Sequence, residues 1–131
     1  QYWAAMNTIM SDSKPSSQSP NGTLEEEIKK RGEKAALEDA AARDEKSLGW
    51  IQKIFQKARA IKPPSEYEQL HAKFVSVFGQ LQTALKHHLA AAKEHNVKRV
   101  QAAESEARDV MELNADFWEK FNTESKKYPA D

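Results

Sequence analysis

Four histidines are the residues of this sequence with the widest chemical range: His71, His87, His88 and His95. An imidazole can hold a metal ion, transfer a proton near neutral pH or form a structural hydrogen bond. His71 follows Glu68 with the Glu-x-x-His spacing that di-iron helical bundles use. Those bundles need the motif twice, and the sequence has no second copy. We therefore predict no catalytic, metal-binding or cofactor-binding residue and no resident cofactor.

The histidines are instead expected at structural positions on helices. His71 would hydrogen-bond a neighbouring turn through one ring nitrogen while its ring covers core atoms. His87 points away from the apolar stripe of its helix and is expected in solvent, whereas His88 lies on the stripe and is expected to be partly buried. His88 and His95 fall two turns apart on one helix face. The alternative is a single metal or haem held by His71 or His88 with Met6.

The sequence carries none of the motifs that identify the common enzyme classes. It has no glycine-rich phosphate loop, no nucleophile elbow, no His-Glu-x-x-His and no cysteine. The lack of cysteine also excludes disulfides, thiolate nucleophiles, cysteine-ligated zinc and iron–sulfur clusters. Paired carboxylates are frequent, but they fall on polar helix faces. The prediction is a protein that is not an enzyme.

The formal charge argues against two large classes of partner. Twenty lysines and arginines balance twenty aspartates and glutamates. Binding to nucleic-acid phosphates and polybasic attachment to a membrane surface both need an excess of positive charge. No apolar run approaches the roughly 20 residues of a membrane span. We expect a protein partner or a small ligand, no nucleic acid, no membrane span, and a monomer or weak oligomer.

Three aromatic residues at the end of the chain have the spacing of a helix face that packs in a core: Phe117, Trp118 and Phe121. The alternative is a hydrophobic slot between helix ends that takes a small apolar ligand. Asn114 interrupts the apolar stripe of the same helix, and we expect it to fix the helix register through a buried hydrogen bond. Glu104 also interrupts this stripe and is interpreted as a structural or boundary position.

Composition and periodicity predict helices along most of the chain and no strand. Alanine, glutamate, lysine and leucine, all good helix formers, dominate the sequence. Residues 1–11 are predicted to form a short amphipathic helix, and residues 12–22, rich in serine and proline, a flexible linker. The apolar spacing then predicts long helices over 23–61, 65–95 and 97–126.

Local signals mark where the long helices start. Thr23 with Glu26, and Ser65 with Glu68, have the Ser/Thr-x-x-Glu spacing of a capping box. A Pro-Pro pair directly before Ser65 ends the preceding helix, because proline cannot continue the hydrogen-bonded interior.

The predicted helices define an all-α fold. Within 23–61 the apolar phase drifts through an alanine-rich stretch, so we expect one long helix with a kink or short break near Asp44. The helices over 65–95 and 97–126 are about 30 residues and roughly 45 Å long. Their short connection makes them antiparallel. We predict an antiparallel bundle of three long helices plus a short N-terminal helix, similar to a four-helix bundle, in a single domain over 1–131.

The stretch "IFQKARAIKPPSEYEQLHAKFVSVFGQLQTALKHHL" resembles part of small uncharacterised bacterial secreted proteins and lipoproteins. In these proteins a helix ends in one or two prolines, and a tyrosine and then a histidine lead into the next helix. The matching residues, within a region of 48–121, are Ile61, Pro63, Pro64, Tyr67, His71, Phe74, Leu81 and Leu85. The resemblance implies an extracytoplasmic helical bundle, periplasmic, cell-surface or secreted. Such bundles are often tethered to lipid through an N-terminal cysteine, which would lie outside this chain. The resemblance carries no known activity.

The function expected from the sequence is that of a non-enzymatic extracytoplasmic module that binds a partner protein or senses a ligand. The chain begins with Gln1 rather than methionine, so we expect that a preceding segment has been removed, either a signal peptide or another domain. Two alternatives stay open. One is a metal- or cofactor-binding helical bundle, and the other is an intracellular coiled-coil scaffold that associates with itself.

Overall fold

The computed structural model describes residues 2–11 and 24–127. Within these ranges the backbone forms six α-helices and one 3₁₀ turn, and no strand. The elements are α1 Tyr2–Ser11, α2 Leu24–Arg31, α3 Glu33–Ala60, the 3₁₀ turn Ser65–Tyr67, α4 Glu68–Lys93, α5 Val97–Leu113 and α6 Ala115–Ser125. The predicted all-α class is confirmed. The predicted linker and the predicted cap at Thr23 lie outside the described residues.

The helix expected over 23–61 is divided at Gly32 rather than near Asp44. Gly32 has a φ of 88°, in the left-handed region that glycine adopts without a Cβ clash. The hydrogen bonds continue across it, because the Gly32 N–H donates to the Ile28 carbonyl at 2.8 Å and the Gly32 carbonyl accepts from the Ala36 N–H at 3.1 Å. The predicted break near Asp44 is wrong, since the alanine-rich stretch of α3 is a regular helix.

The helix expected over 97–126 is also divided, at Asn114 between α5 and α6. Asn114 is 5% exposed, and its Nδ2 donates to the Val110 carbonyl at 2.6 Å. Its φ of −114° and ψ of 22° leave the helical region. The buried hydrogen bond predicted for Asn114 therefore exists, but its partner is in the preceding turn and not on another helix. Asparagine side chains compete in this way with the helix backbone.

The turn between α3 and α4 starts with extended backbone at Ile61 and Pro64. The 3₁₀ turn follows, and the Tyr67 N–H donates to the Pro64 carbonyl at 2.9 Å. No side chain caps this turn or the start of α4. The predicted capping box of Ser65 and Glu68 is wrong, because the 3₁₀ turn moves the N-cap position of α4 to Tyr67.

Two residues reverse the chain between α4 and α5, His95 and Asn96. His95 is left-handed, with a φ of 55°. The N–H groups of Asn96 and His95 donate to the carbonyls of Ala91 and Ala92 at 3.0 and 3.1 Å, which is the Schellman pattern of a helix end. The Asn96 side chain then accepts from the Arg99 N–H at 3.1 Å and caps α5. His95 thus lies beyond α4 and not on the helix face predicted for it.

Two clusters of buried side chains form the core, one toward each end of the long helices. The aromatic cluster joins α1, α3, α4 and α6, and its buried members are Trp3, Met6, Ile54, Ala58, Leu70, Phe74, Val77, Phe78, Phe117 and Phe121. The alanine cluster joins the start of α3, the end of α4 and the start of α5, through Leu37, Ala40, Ala41, Ala91, Ala92 and Val100. The alanine cluster thus places the start of α3 and the start of α5 against the end of α4. The predicted core position of the aromatic set on the last helix is confirmed for Phe117 and Phe121, whereas Trp118 is half-buried and packs against the cluster.

Candidate functional site: a groove between the two core clusters

His71 lies in the first turn of α4 and is 6% exposed. Its Nε2 is 2.8 Å from the Ala58 carbonyl at the end of α3, and its Nδ1 is 2.7 Å from the Tyr2 hydroxyl on α1. A carbonyl can only accept, so Nε2 donates to Ala58, and in the tautomer that carries its proton on Nε2 the Nδ1 atom accepts from the Tyr2 hydroxyl. Burial raises the pKa of Tyr2 to about 12, so the hydroxyl keeps its proton. The hydrogen bond to a neighbouring turn predicted for His71 is present, and both ring nitrogens have partners.

A second partly buried histidine connects α3 with α4 at the waist, by which we mean the stretch between the aromatic and alanine clusters. His88 Nδ1 forms a hydrogen bond with Asp44 Oδ2. The side chains of His88 and Asp44 are 15% and 12% exposed, as predicted for His88. One turn earlier on α3, Ala40 and Ala41 pack in the alanine cluster. Because small residues at a contact let helices approach closely, the short aspartate side chain can reach α4.

Glu104 on α5 supplies a second carboxylate to His88. Its Oε1 lies 3.4 Å from His88 Nε2, and its side chain is 43% exposed. An imidazole that faces carboxylates at both nitrogens can donate to both only when it is protonated. The hydrogen bond to Asp44 raises the pKa of His88 above 6.5, and the charges of Asp44 and Glu104 act in the same direction, while burial opposes them. His88 on α4 thus faces one carboxylate from α3 and one from α5, and we call these three residues the bridge.

The bridge borders a groove of about 300 Å³, which we call the waist groove. Apart from the three bridge residues its lining is apolar and comes from α3, α4 and α5: Ile51, Leu81, Ala84, Leu85, Ala103 and Ala107. Ala84 and Ala103 are buried, and the other four are half-buried. The groove is open because alanines occupy positions at which larger side chains would fill it. The waist groove is therefore an apolar recess with a charged group at one side.

Two other grooves differ from it in chemistry. A groove of about 420 Å³ between α4 and α5, the charged groove, is lined by His87, Glu94, Arg99 and Glu106 together with alanines. His87 Nδ1 lies 2.9 Å from Glu106 Oε2, with 60% of the His87 side chain exposed, so the predicted solvent exposure of His87 is confirmed. A third groove, about 310 Å³, lies beside the end of α4. Of the three, the waist groove alone combines a partly buried histidine–aspartate pair with apolar walls.

The metal alternative gains no support from the geometry of the described residues. Within residues 2–11 and 24–127, no group of three or more histidine, aspartate or glutamate side chains is placed to hold a metal ion. Glu68, the acid of the Glu-x-x-His spacing, is exposed rather than directed into the bundle. Met6 is completely buried in the aromatic cluster, and the ring nitrogens of His71 already have partners.

The residue that sequence reasoning missed is Asp44, which was considered only as the place of a helix break. The signal that could have identified it is positional. Asp44 follows Ala40 and Ala41 by four and three residues, so it shares their helix face. A single acid on the alanine face of one helix, opposite a histidine such as His88 on the apolar stripe of the next, predicts a buried ion pair.

The chain matches no protein-family model, no curated protein and no solved structure. In the part of the chain that the structure describes, no helix has the length and apolarity needed to cross a bilayer. Any function therefore has to be argued from the geometry of the grooves and their charges.

Proposed function

We propose that this protein is a non-enzymatic binding module and that the waist groove takes a small, largely apolar ligand. The observation that carries the proposal is the apolar recess beside the partly buried Asp44–His88 pair. Ligand pockets in proteins are typically apolar recesses with a few placed polar groups, and they recur between the helices of bundles. The volume of about 300 Å³ is at the lower end of the usual range, which suits a small molecule.

The position of the groove supports this function. It lies between two packed clusters, so a ligand there needs no rearrangement of either core. Leu81 and Leu85 are half-buried on the floor, and covering them would remove apolar surface from water at about 25 cal/mol per Å². Solvent-facing apolar side chains that line a recess are the kind of surface that a ligand covers.

In this function the helices act as a rigid frame of three antiparallel rods. The rods are α2 with α3, α4, and α5 with α6, and α1 is the short fourth helix at the aromatic end. The bridge through His88 would hold the three rods at a fixed separation across the groove. A preformed site of this kind binds without paying for the ordering of loops.

We further propose that the module works outside the cytoplasm, as the resemblance to bacterial secreted proteins and lipoproteins implies. Its support is the proline–tyrosine–histidine pattern of the turn before α4, in which His71 ties that turn to α1 and α3. Fractionation of cells that express the full reading frame tests this point. Recovery of the protein in the cytoplasmic fraction alone would contradict it.

The binding function is tested with 1-hexanol, a small neutral apolar probe, titrated while backbone amide shifts are followed by NMR. We expect saturable shifts at groove residues. Ala107→Phe places a ring in the waist groove and should weaken binding at least about tenfold. Ala102→Phe, on the exposed face of the same helix that borders the charged groove, is the matched control and should leave the affinity unchanged. Equal affinity in the two variants would overturn the proposal, provided that both melt as the wild type does.

A further inference from the structure

We propose that the ligand of the waist groove is a small hydrophobic amine, with its ammonium group held beside Glu104 and Asp44 and its apolar part over the leucines of α4. This inference rests on the proposed function, since it names the ligand class of the same groove. It is carried by the arrangement of charges around His88.

The bridge has more negative than positive groups. Asp44 and Glu104 each carry a carboxylate, and His88 between them supplies one positive charge when it is protonated. No other residue that lines the waist groove is titratable. A formal charge of minus one therefore remains at the polar side of an otherwise apolar recess, and a cation is the group that complements it.

Glu104 is the carboxylate that can turn to a ligand. Asp44 is 12% exposed and held by its hydrogen bond to His88, whereas Glu104 is 43% exposed and touches His88 only at 3.4 Å. A contact of that length is a weak hydrogen bond. An ammonium group that enters the groove can donate to the Glu104 carboxylate at a shorter distance and leaves the Asp44–His88 pair intact.

The charge of His88 couples amine binding to pH. The groups that face His88 are Asp44 from α3 and Glu104 from α5, while the neighbouring His87 on α4 pairs with Glu106 in the charged groove. The two facing carboxylates raise the pKa of His88. Once His88 loses its proton, the site carries a charge of minus two. An alkylammonium has a pKa near that of lysine, about 10.4, and stays charged, so amine binding should strengthen as the pH rises.

The probes for this inference are hexylamine, 1-hexanol and hexanoate, which share an alkyl chain and differ in the charge of the head group. Their affinities are measured by NMR titration at low salt for the wild type and Glu104→Gln, with Glu106→Gln as the matched control in the charged groove. We expect hexylamine to bind about tenfold more tightly than hexanol and hexanoate to bind worst. Glu104→Gln should remove most of the preference for the amine, and Glu106→Gln should not change it.

The outcomes separate this inference from the proposed function. Equal affinity for hexanol and hexylamine would overturn the amine inference and leave the binding function standing, whereas no saturable binding of either would overturn both. An amine preference that survives in Glu104→Gln would also contradict the inference. A second measurement determines the affinity for hexylamine from about pH 5.5 to about pH 8.5, and we expect the affinity to increase with pH. A decrease over that range would contradict the role given to His88.

Discussion

At the scale of single residues, His71 shows how one side chain joins three helices. Its ring is among aromatic side chains, stacked 6.5 Å from Phe74 and edge-on to Tyr2 at 5.5 Å. The two nitrogens bind a carbonyl of α3 and a hydroxyl of α1. A residue with these contacts stabilises the fold and is remote from the waist groove.

His71→Ala should therefore lower the free energy of unfolding by about 2–3 kcal/mol, because it removes two hydrogen bonds and leaves the Tyr2 hydroxyl without its histidine partner. The Ala58 carbonyl keeps the hydrogen bond from the Ile61 N–H at 3.1 Å. Tyr2→Phe, which removes one of the two hydrogen bonds, should cost about 1 kcal/mol. Urea denaturation measures both. Unchanged stability of His71→Ala together with lost hexanol binding would show that His71 belongs to a binding site instead.

Two of the described residues have a positive φ, and we expect substitutions at them to change stability in opposite directions. His95 has a φ of 55°, where a non-glycine residue is strained, so His95→Gly should stabilise the protein by about 1 kcal/mol. Gly32 has a φ of 88° and no atom within 4 Å of a Cβ, so Gly32→Ala should destabilise it by a similar amount through the backbone alone. Thermal unfolding of the two variants distinguishes the signs. A shift of both midpoints in the same direction would contradict this account of the two turns.

The sequence predicted residue roles well where one helix determines them. The apolar stripe of α4 predicted that His88 is partly buried and His87 exposed, since helical periodicity alone sets the face. The stripe of α4 alone did not identify Asp44, because that residue belongs to α3 and is marked only by its position on the alanine face of that helix. Helical periodicity predicted that Asn114 is buried. It does not determine whether the side-chain amide hydrogen-bonds to its own helix backbone, as it does here, or to another helix.

At the scale of elements, the bridge between α3, α4 and α5 makes stability depend on pH. Because Asp44 and Glu104 raise the pKa of His88, the folded protein holds that proton more tightly than the unfolded chain. The stabilisation is fully present below the unfolded pKa of about 6.5 and is lost as the pH rises through the higher folded value. Contact between the three helices at the waist should thus be strongest in mildly acidic solution.

A double-mutant cycle with Asp44→Ala and His88→Ala tests this contact. At about pH 6 we expect a coupling energy of about 1.5–3 kcal/mol, as for a hydrogen bond to a charged group, with a decline toward about pH 9. The exposed pair His87 and Glu106 is the control, and its coupling should stay below about 1 kcal/mol. A coupling for Asp44 and His88 that increases with pH would contradict the assigned direction of the pKa shift.

Helix positions were more predictable than helix interruptions. Within residues 24–127 the apolar spacing located the long helical stretches, because burial of a continuous stripe stabilises a helix over many turns. The interruption at Gly32 was missed, since a glycine inside a helical pattern costs only about 1 kcal/mol and often leaves the helix intact. The capping box of Ser65 and Glu68 was predicted from local spacing. The 3₁₀ turn instead places the N-cap of α4 at Tyr67, so the box does not form.

At the scale of the whole molecule, the amino-acid composition explains why a groove lies between two cores. Aromatic side chains fill one end, where Trp3, Phe74 and Phe121 pack together, and alanines bring the helices close at the other. Between them the helices present alanines and half-buried leucines, and this combination leaves a recess. The all-α class followed from the sequence, whereas the groove did not, because its volume depends on the separation of three helices.

The account stands on the claim that the waist groove is the ligand site, and the most direct measurement is the position of a bound probe. Intermolecular NOEs between 1-hexanol and methyl-labelled protein report which side chains the alkyl chain touches. We predict NOEs from hexanol to the methyl groups of Ile51, Leu81 and Leu85. The claim would be contradicted by NOEs confined to Met111 and Leu113, the large apolar side chains that are 43% and 85% exposed. It would also be contradicted if no intermolecular NOE appeared at saturating hexanol.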